Sequence, residues 1–233
     1  ELGKDPRHVE NVVHLLDEGN TIPFIARYRK ELHGAMDDTS LRTLEERLQY
    51  LRGLEERREA VKKSIDEQGK LTDELAAAID SAKTLAEVED LYRPYKQKRR
   101  TRATMAKEKG LEPLAALLFA QERDCPRLEE AARDFVDPEK GVETVEDALQ
   151  GASDIIAEQI SDDAAIRKSL RALISRQGQL VSRAATEDDS VYRLYYDFTQ
   201  SVARLQGHQV LAINRGEKEG ILKVSITLDR EQA

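Results

Sequence analysis

A mainly α fold is what this sequence predicts: a multi-helix bundle with one long helix and a small C-terminal α/β lobe containing a β-hairpin. Three observations predict it. Apolar residues recur at three- and four-residue spacings through most of the chain, the period of a half-buried helix. Only 12 Gly and 6 Pro interrupt 233 residues, too few breakers for an all-β protein built from many turns. From about residue 177 the spacing changes to alternation and β-branched runs. The predicted division is therefore 1–176, helical with a helix-turn-helix-like start, and 177–233, a small mixed lobe.

Element by element, Asp5-Pro6 opens a first helix, since Asp caps and Pro at the first position gives up no needed donor. Val9, Val12, Val13 and Leu16 form its buried stripe and Gly19 closes it. Pro23 starts a short helix that Gly34 ends, with Phe24 and Ile25 inward and Arg27, Arg29 and Lys30 near its C-terminal turn. A helix of about 28 residues follows from Thr39-Ser40, with Leu41, Leu44, Leu48, Leu51, Val61 and Ile65 on one side and only Gly53 interrupting it. Gly69 stops it, Thr72 caps the next, and Thr84 with Glu87 makes a capping-box pair for another. Pro94 predicts an extended Arg93. Further helices are expected at about 102–109, 111–121, 127–135, 144–160 and 163–175. In the lobe, Gln179 to Arg183 alternates, and Val210–Ile213 and Ile221–Leu228 read as strands flanking the turn NRGEKEG, whose Gly216 and Gly220 are expected at positive φ.

Composition limits function. Lys+Arg 37 against Asp+Glu 45 leaves a net charge of −8, so the whole chain is no clamp for polyanions. The single Cys125 excludes an internal disulfide and fits a reducing compartment. No run approaches a membrane span and the first residues have no apolar signal core, so a cytoplasmic chain with no membrane partner is expected. His8, His14, His33 and His208 lie apart without metal spacing and read as surface or cap residues. Asp37-Asp38, Asp162-Asp163 and Asp188-Asp189 fall where caps and turns belong. With no phosphate loop, nucleophile elbow or metal motif, the expectation is no enzyme, no cofactor and no metal. A metal-dependent nuclease would need a carboxylate or His cluster that the spacing does not supply.

The densest charge feature runs from Arg93 to Lys109. It holds eight cations (Arg93, Lys96, Lys98, Arg99, Arg100, Arg102, Lys107, Lys109) and one carboxylate, Glu108, for a net +7. Such an island attracts phosphates, and Tyr92 and Tyr95 beside it offer rings for stacking. Lys96, Lys98, Arg99, Arg100 and Arg102 are the candidate nucleic-acid contacts. The competing reading is a solvated loop paired with the protein's own acidic helices. Residues Val9 to Lys30 also have the order of a helix-turn-helix; a recognition helix would expose Arg27, Tyr28, Arg29 and Lys30 together, and packing of Tyr28 into the bundle is the favoured reading. Tyr192, Tyr195, Tyr196 and Phe198 put four of the eleven Tyr and Phe residues in seven positions and read as core of the lobe rather than a base-stacking platform.

The strings LLDEGNTIPFIARYRKE (Leu15–Glu31), LEERLQYLRGLEERR (Leu44–Arg58), EQGKLTDEL (Glu67–Leu75), VEDLYRPYKQKRRTRA (Val88–Ala103) and HQVLAINRGEKEGILKV (His208–Val224) closely resemble the N-terminal part of the Tex family. These are bacterial transcription accessory proteins related to a eukaryotic elongation factor. The resemblance implies a largely helical N-terminal region of a longer protein that continues with ribonuclease-H-like, helix-hairpin-helix and C-terminal OB-fold RNA-binding domains. It therefore implies a fragment. It assigns no role to Lys96 or Arg99, whose candidacy rests on charge.

The expected function is a non-enzymatic scaffold module of a Tex-like transcription accessory protein, with auxiliary contact to RNA or DNA through the basic segment, and the transcription machinery as a partner. The alternative is a purely structural or protein-interaction scaffold in which the long helix is the contact surface.

Overall fold

The computed structural model describes residues 2–97, 99–121, 127–186 and 189–229. Eleven α-helices and a three-stranded sheet are present among them, and the chain divides into two compact units, Glu1–Tyr95 and Lys96–Ala233.

In the first unit, α1 (Pro6–Asp17) begins where the Asp5 carboxylate accepts the Arg7 N–H at 2.9 Å. Gly19, at φ +85°, turns the chain toward α2 (Ile22–Tyr28). Ile22 and Ile25, three residues apart, set the inner face of α2; Phe24 and Tyr28, four apart, set the outer one. Phe24 is thus exposed, contrary to its expected inward position. The helix also ends before Gly34, because residues Arg29 to Ala35 form tight turns. Val12, Leu15, Ile22, Ile25 and Met36 pack on Leu41 and Leu44, forming the first core cluster.

Those two leucines belong to α3 (Asp38–Asp66), which is 29 residues long and roughly 43 Å from end to end at α-helical rise. Asp37 caps it by accepting the Ser40 N–H at 2.6 Å. The far half of α3 carries a second cluster, Leu54, Val61 and Ile65, against Ile79, Ala82 and Val88 from α4 (Asp73–Ser81), α5 (Leu85–Tyr92) and the link between them. Thr72 and Thr84 cap α4 and α5 as expected. Glu87 reaches back to the Lys83 N–H at 2.8 Å. Ion pairs rim this cluster, Arg57 to Glu89 at 2.5 Å and Lys62 to Asp80 at 2.8 Å. Arg93 is helical rather than extended: α5 runs on into a 3-10 turn, Arg93–Tyr95.

In the second unit, α6 (Arg102–Glu108), α7 (Glu112–Ala120) and α8 (Leu128–Arg133) pack around α9 (Val145–Asp162). Seven of the eleven buried residues of this core are Ala. Small side chains let helix backbones approach, and interaxial distance follows the residues at the contact. Gly151 of α9 belongs to the same design, since a Cβ there would sit 2.3 Å from Leu111 Cδ1 and 3.3 Å from Ala106 Cβ. Thr144 and Asp147 close a reciprocal capping box on α9. Asp163 caps α10 (Ala164–Gln177), as the acidic-pair reading anticipated. Asp188 and Cys125 lie outside the described residues.

The lobe is a sheet of order β2-β1-β3, antiparallel throughout. Central β1 (Gln179–Ala184) pairs with β2 (Asp197–Ser201) and β3 (Leu222–Thr227). The antiparallel β1–β2 pair is consecutive in sequence; the hairpin expected across NRGEKEG does not form. Val210 to Ile213 instead lies in α11 (Gly207–Lys218), at whose start the Gln209 side chain accepts the Gln206 N–H at 2.9 Å, a helix that local β-propensity did not anticipate. Gly220 has the expected positive φ of +75°. Gly216 is helical, and its role is close approach: a Cβ there would meet Leu222 at 2.7 Å and Tyr192 at 3.2 Å. Tyr192 is buried, and Tyr195 packs edge-on to Phe198 with centroids 5.3 Å apart, which is the core reading of that aromatic block.

Candidate nucleic-acid interface

The boundary between the two units falls within the basic segment: Arg93 belongs to the first unit, which ends at Tyr95, and Lys96 to Lys109 open the second. In the second unit, Thr101 organises the stretch. Its hydroxyl accepts the Thr104 N–H at 3.0 Å, capping α6, and lies 3.0 Å from the Glu158 carboxylate of α9. Ala103 and Ala106 turn the inner face of α6 into the core. Arg102, in the first turn of α6, is thereby held on the outer side.

Lys96, Arg99, Arg100 and Arg102 are all exposed; Lys98 lies outside the described residues. Arg100 donates to Glu108 at 2.6 Å, with both side chains more than half exposed, at 68% and 53%. An ion pair that open is worth little and yields readily to a phosphate. Lys96, Arg99 and Arg102 make no ion pair among the described residues. The remaining cations are partly engaged: Lys109 donates to the Gly141 carbonyl at 2.6 Å, and Lys107 lies 3.9 Å from Glu112. The candidate set of Lys96, Arg99, Arg100 and Arg102 therefore forms an accessible cationic approach to α6.

The tyrosines are not part of it. The Tyr92 hydroxyl bonds with that of Ser64 at 3.0 Å, its ring lies 5.4 Å from the Arg57 guanidinium carbon, and both Tyr92 and Tyr95 pack on the second core cluster of the first unit. Their stacking faces are committed to the fold.

Two further residues lie elsewhere than their sequence positions suggest. Tyr28, expected in the bundle, is 56% exposed. Its ring lies 5.2 Å from that of Phe24, over which the Arg29 guanidinium sits at 5.3 Å. Arg27 and Lys30 are exposed beside them. His33, expected at the surface, is 2% exposed, and neither ring nitrogen has a hydrogen-bond partner. No group of three or more His, Cys, Asp or Glu side chains is arranged to hold a metal among the described residues. No described helix is long and apolar enough to cross a membrane.

Comparison with known proteins defines the class. Residues 1–66 match the family model of the Tex-like protein N-terminal domain, and residues 125–233 match that of the Tex central region. The chain is 49% identical over 230 residues to the uncharacterized protein YdcI of Bacillus subtilis, spanning 97% of this chain and 32% of that protein. It is 43% identical over 230 residues to the transcriptional accessory protein Tex of Neisseria gonorrhoeae, spanning 97% and 30%. Over 235 residues it is 31% identical to S1 RNA-binding domain-containing protein 1 of Homo sapiens, spanning 96% and 23%. The chain spans about a third or less of the length of these relatives. A helical body with a small mixed lobe, matched along its length by transcription accessory proteins, is the class defined here. The chain belongs to the Tex family.

Proposed function

We propose that this chain is a non-enzymatic helical module of a transcription accessory protein that contributes an auxiliary RNA or DNA contact through Lys96, Arg99, Arg100 and Arg102. The observation that carries this reading is the exposure of these four cations, three of them without an ion-pair partner among the described residues, on a chain of net charge −8. Local excess charge on an anionic body directs a polyanion to one place rather than over the whole surface. The S1 RNA-binding domain in the name of the human relative supports a nucleic-acid setting for such a contact. The cations read phosphates, so the contact is insensitive to sequence. In this reading the chain performs no chemical step itself.

The test is binding of the 233-residue chain to labelled single-stranded RNA and duplex DNA across a salt series. Replacing Arg99, Arg100 and Arg102 by Ala weakens both and lowers the log–log salt slope by about 2 for the single strand and nearly 3 for the duplex, at roughly 0.7 and 0.9 for each phosphate no longer neutralised. An unchanged slope and affinity remove the stretch from the account. The protein-interaction reading has its own observation, an apolar groove of about 580 Å³ between α1 and α3 lined by Leu2, Val9, Val13, Leu44, Leu48 and Leu51. It predicts unchanged nucleic-acid binding in the triple variant.

A further inference from the structure

The outer face of α2 in the first unit is a second feature, separate from the basic stretch at α6. Two aromatic rings, Phe24 and Tyr28, stand one helical turn apart with centroids 5.2 Å from each other. Among the described residues, only three aromatic side chains are conspicuously exposed, Phe24, Tyr28 and Phe119, and two of the three are this pair. Arg29 caps the Phe24 ring at 5.3 Å, leaving the 56%-exposed Tyr28 ring as the open face. Arg27, three residues on from Phe24, flanks the pair on α2, and Lys30 follows just beyond the helix end; both are exposed and make no ion pair among the described residues. The buried side of the helix, Ile22 and Ile25, fixes the backbone that presents all of this.

An aromatic pair on a short helix stabilises that helix, but stabilisation alone does not require flanking unpaired cations. An apolar protein partner would favour uncharged surroundings at the centre of its contact. Exposed rings interleaved with unpaired guanidinium and ammonium groups match one chemistry best, a polyanion with free aromatic faces. A duplex keeps its base faces stacked inside and offers only phosphates and groove edges; a single strand offers both phosphates and base faces. Two turns of helix are also short for reading a major groove. We propose that Phe24, Arg27, Tyr28 and Lys30 form a single-strand nucleic-acid platform, on which a base stacks against Tyr28 while Arg27 and Lys30 hold the adjoining phosphates.

The experiment uses the 233-residue chain and three fluorescein-labelled probes: a 12-nucleotide uridine RNA, a 12-nucleotide thymidine DNA and a 12-base-pair duplex. Tyr28→Ala lowers affinity for both single strands about five- to a hundredfold, the range for one base–aromatic stack, and leaves duplex affinity within about twofold. Tyr28→Phe retains binding, whereas Tyr28→Leu, which keeps apolar bulk without a π face, loses it. Arg27→Ala with Lys30→Ala lowers the single-strand salt slope by about 1.4. The Tyr28 effect persists when Arg99, Arg100 and Arg102 are already Ala, which separates this platform from the basic stretch. Single-strand affinity unchanged in Tyr28→Ala, or full binding by Tyr28→Leu, overturns the proposal. An equal loss of duplex binding overturns the single-strand assignment. Circular dichroism of each variant fixes that the helices are retained, and Tyr28→Phe against Tyr28→Leu remains decisive if Tyr28→Ala unfolds.

Discussion

Gly34 shows how one residue holds a turn. Its φ of +59° lies in the left-handed region, and a Cβ there would come within 2.3 Å of the His8 ring. That ring is held in place, its Nδ1 2.9 Å from the Leu32 carbonyl. Strain and overlap therefore act together, and Gly34→Ala destabilises the first unit by about 2–3 kcal/mol. Thermal unfolding followed by circular dichroism measures this; a change below about 0.5 kcal/mol is incompatible with the geometry. His33, one residue earlier, is the opposite case, a buried imidazole with both nitrogens unpaired. The four-histidine pattern held no clue to that burial, because it depends on how the turn from Arg29 to Ala35 folds back. Residues whose roles are local were legible: Asp5, Asp37, Thr72, Thr84 and Asp163 all cap helices within three residues of themselves.

At the level of elements, α3 offers a clean test. Gly53 lies in its interior, and a Cβ there would meet nothing within 4 Å. Glycine in a helix interior weakens it by about 0.5–1 kcal/mol relative to Ala through backbone entropy. Gly53→Ala accordingly raises the stability of the first unit by about that amount in denaturant titration; a loss would mean that the site is more crowded than its surroundings indicate. Periodicity and caps made most of the helices readable to within a few residues, with α2 shorter than expected and α11 missed. The strand expected at Val210–Ile213 failed because β-branched composition is a weak guide where tertiary packing differs. There Ile213 and Gly216 face the sheet as neighbours on a helix, and Gly216 is needed for contact with Leu222 rather than for a turn. The candidate site divides the same way. Its charge was plain in the sequence; the exposure of Arg99 and Arg102, and the commitment of Tyr92 and Tyr95 to a core, depend on how elements pack together.

For the molecule as a whole, acid is the informative perturbation. Four carboxylates titrate below the ordinary Asp value of 3.8 for identifiable reasons. Asp17 is hydrogen-bonded by Arg52, Asp37 by the Ser40 N–H, Asp137 by Lys140 and Asp147 by Thr144. A carboxylate lowered in the folded state adds stability that is complete above its unfolded value and is lost as pH falls through its folded value. Stability is thus flat with respect to these groups above about pH 5 and declines from about pH 4 downward. Melting temperatures between about pH 7 and pH 2.5 measure this, and Asp147→Asn, which removes one of the four titrating carboxylates while keeping an oxygen that can accept the Thr144 N–H, flattens the acid limb. A decline beginning near pH 6 would assign the acid sensitivity to other groups.

The long rod of α3 carries a mechanical consequence. Leu41 and Leu44 anchor one hydrophobic cluster near its start, and Leu54, Val61 and Ile65 anchor another toward its end. The ladder of amide bonds between them is the shared beam of two small buildings. Fraying that begins at either end must stop at the midspan or carry across it, so slow amide exchange around residues 45–53 would report how tightly the two halves share their fate.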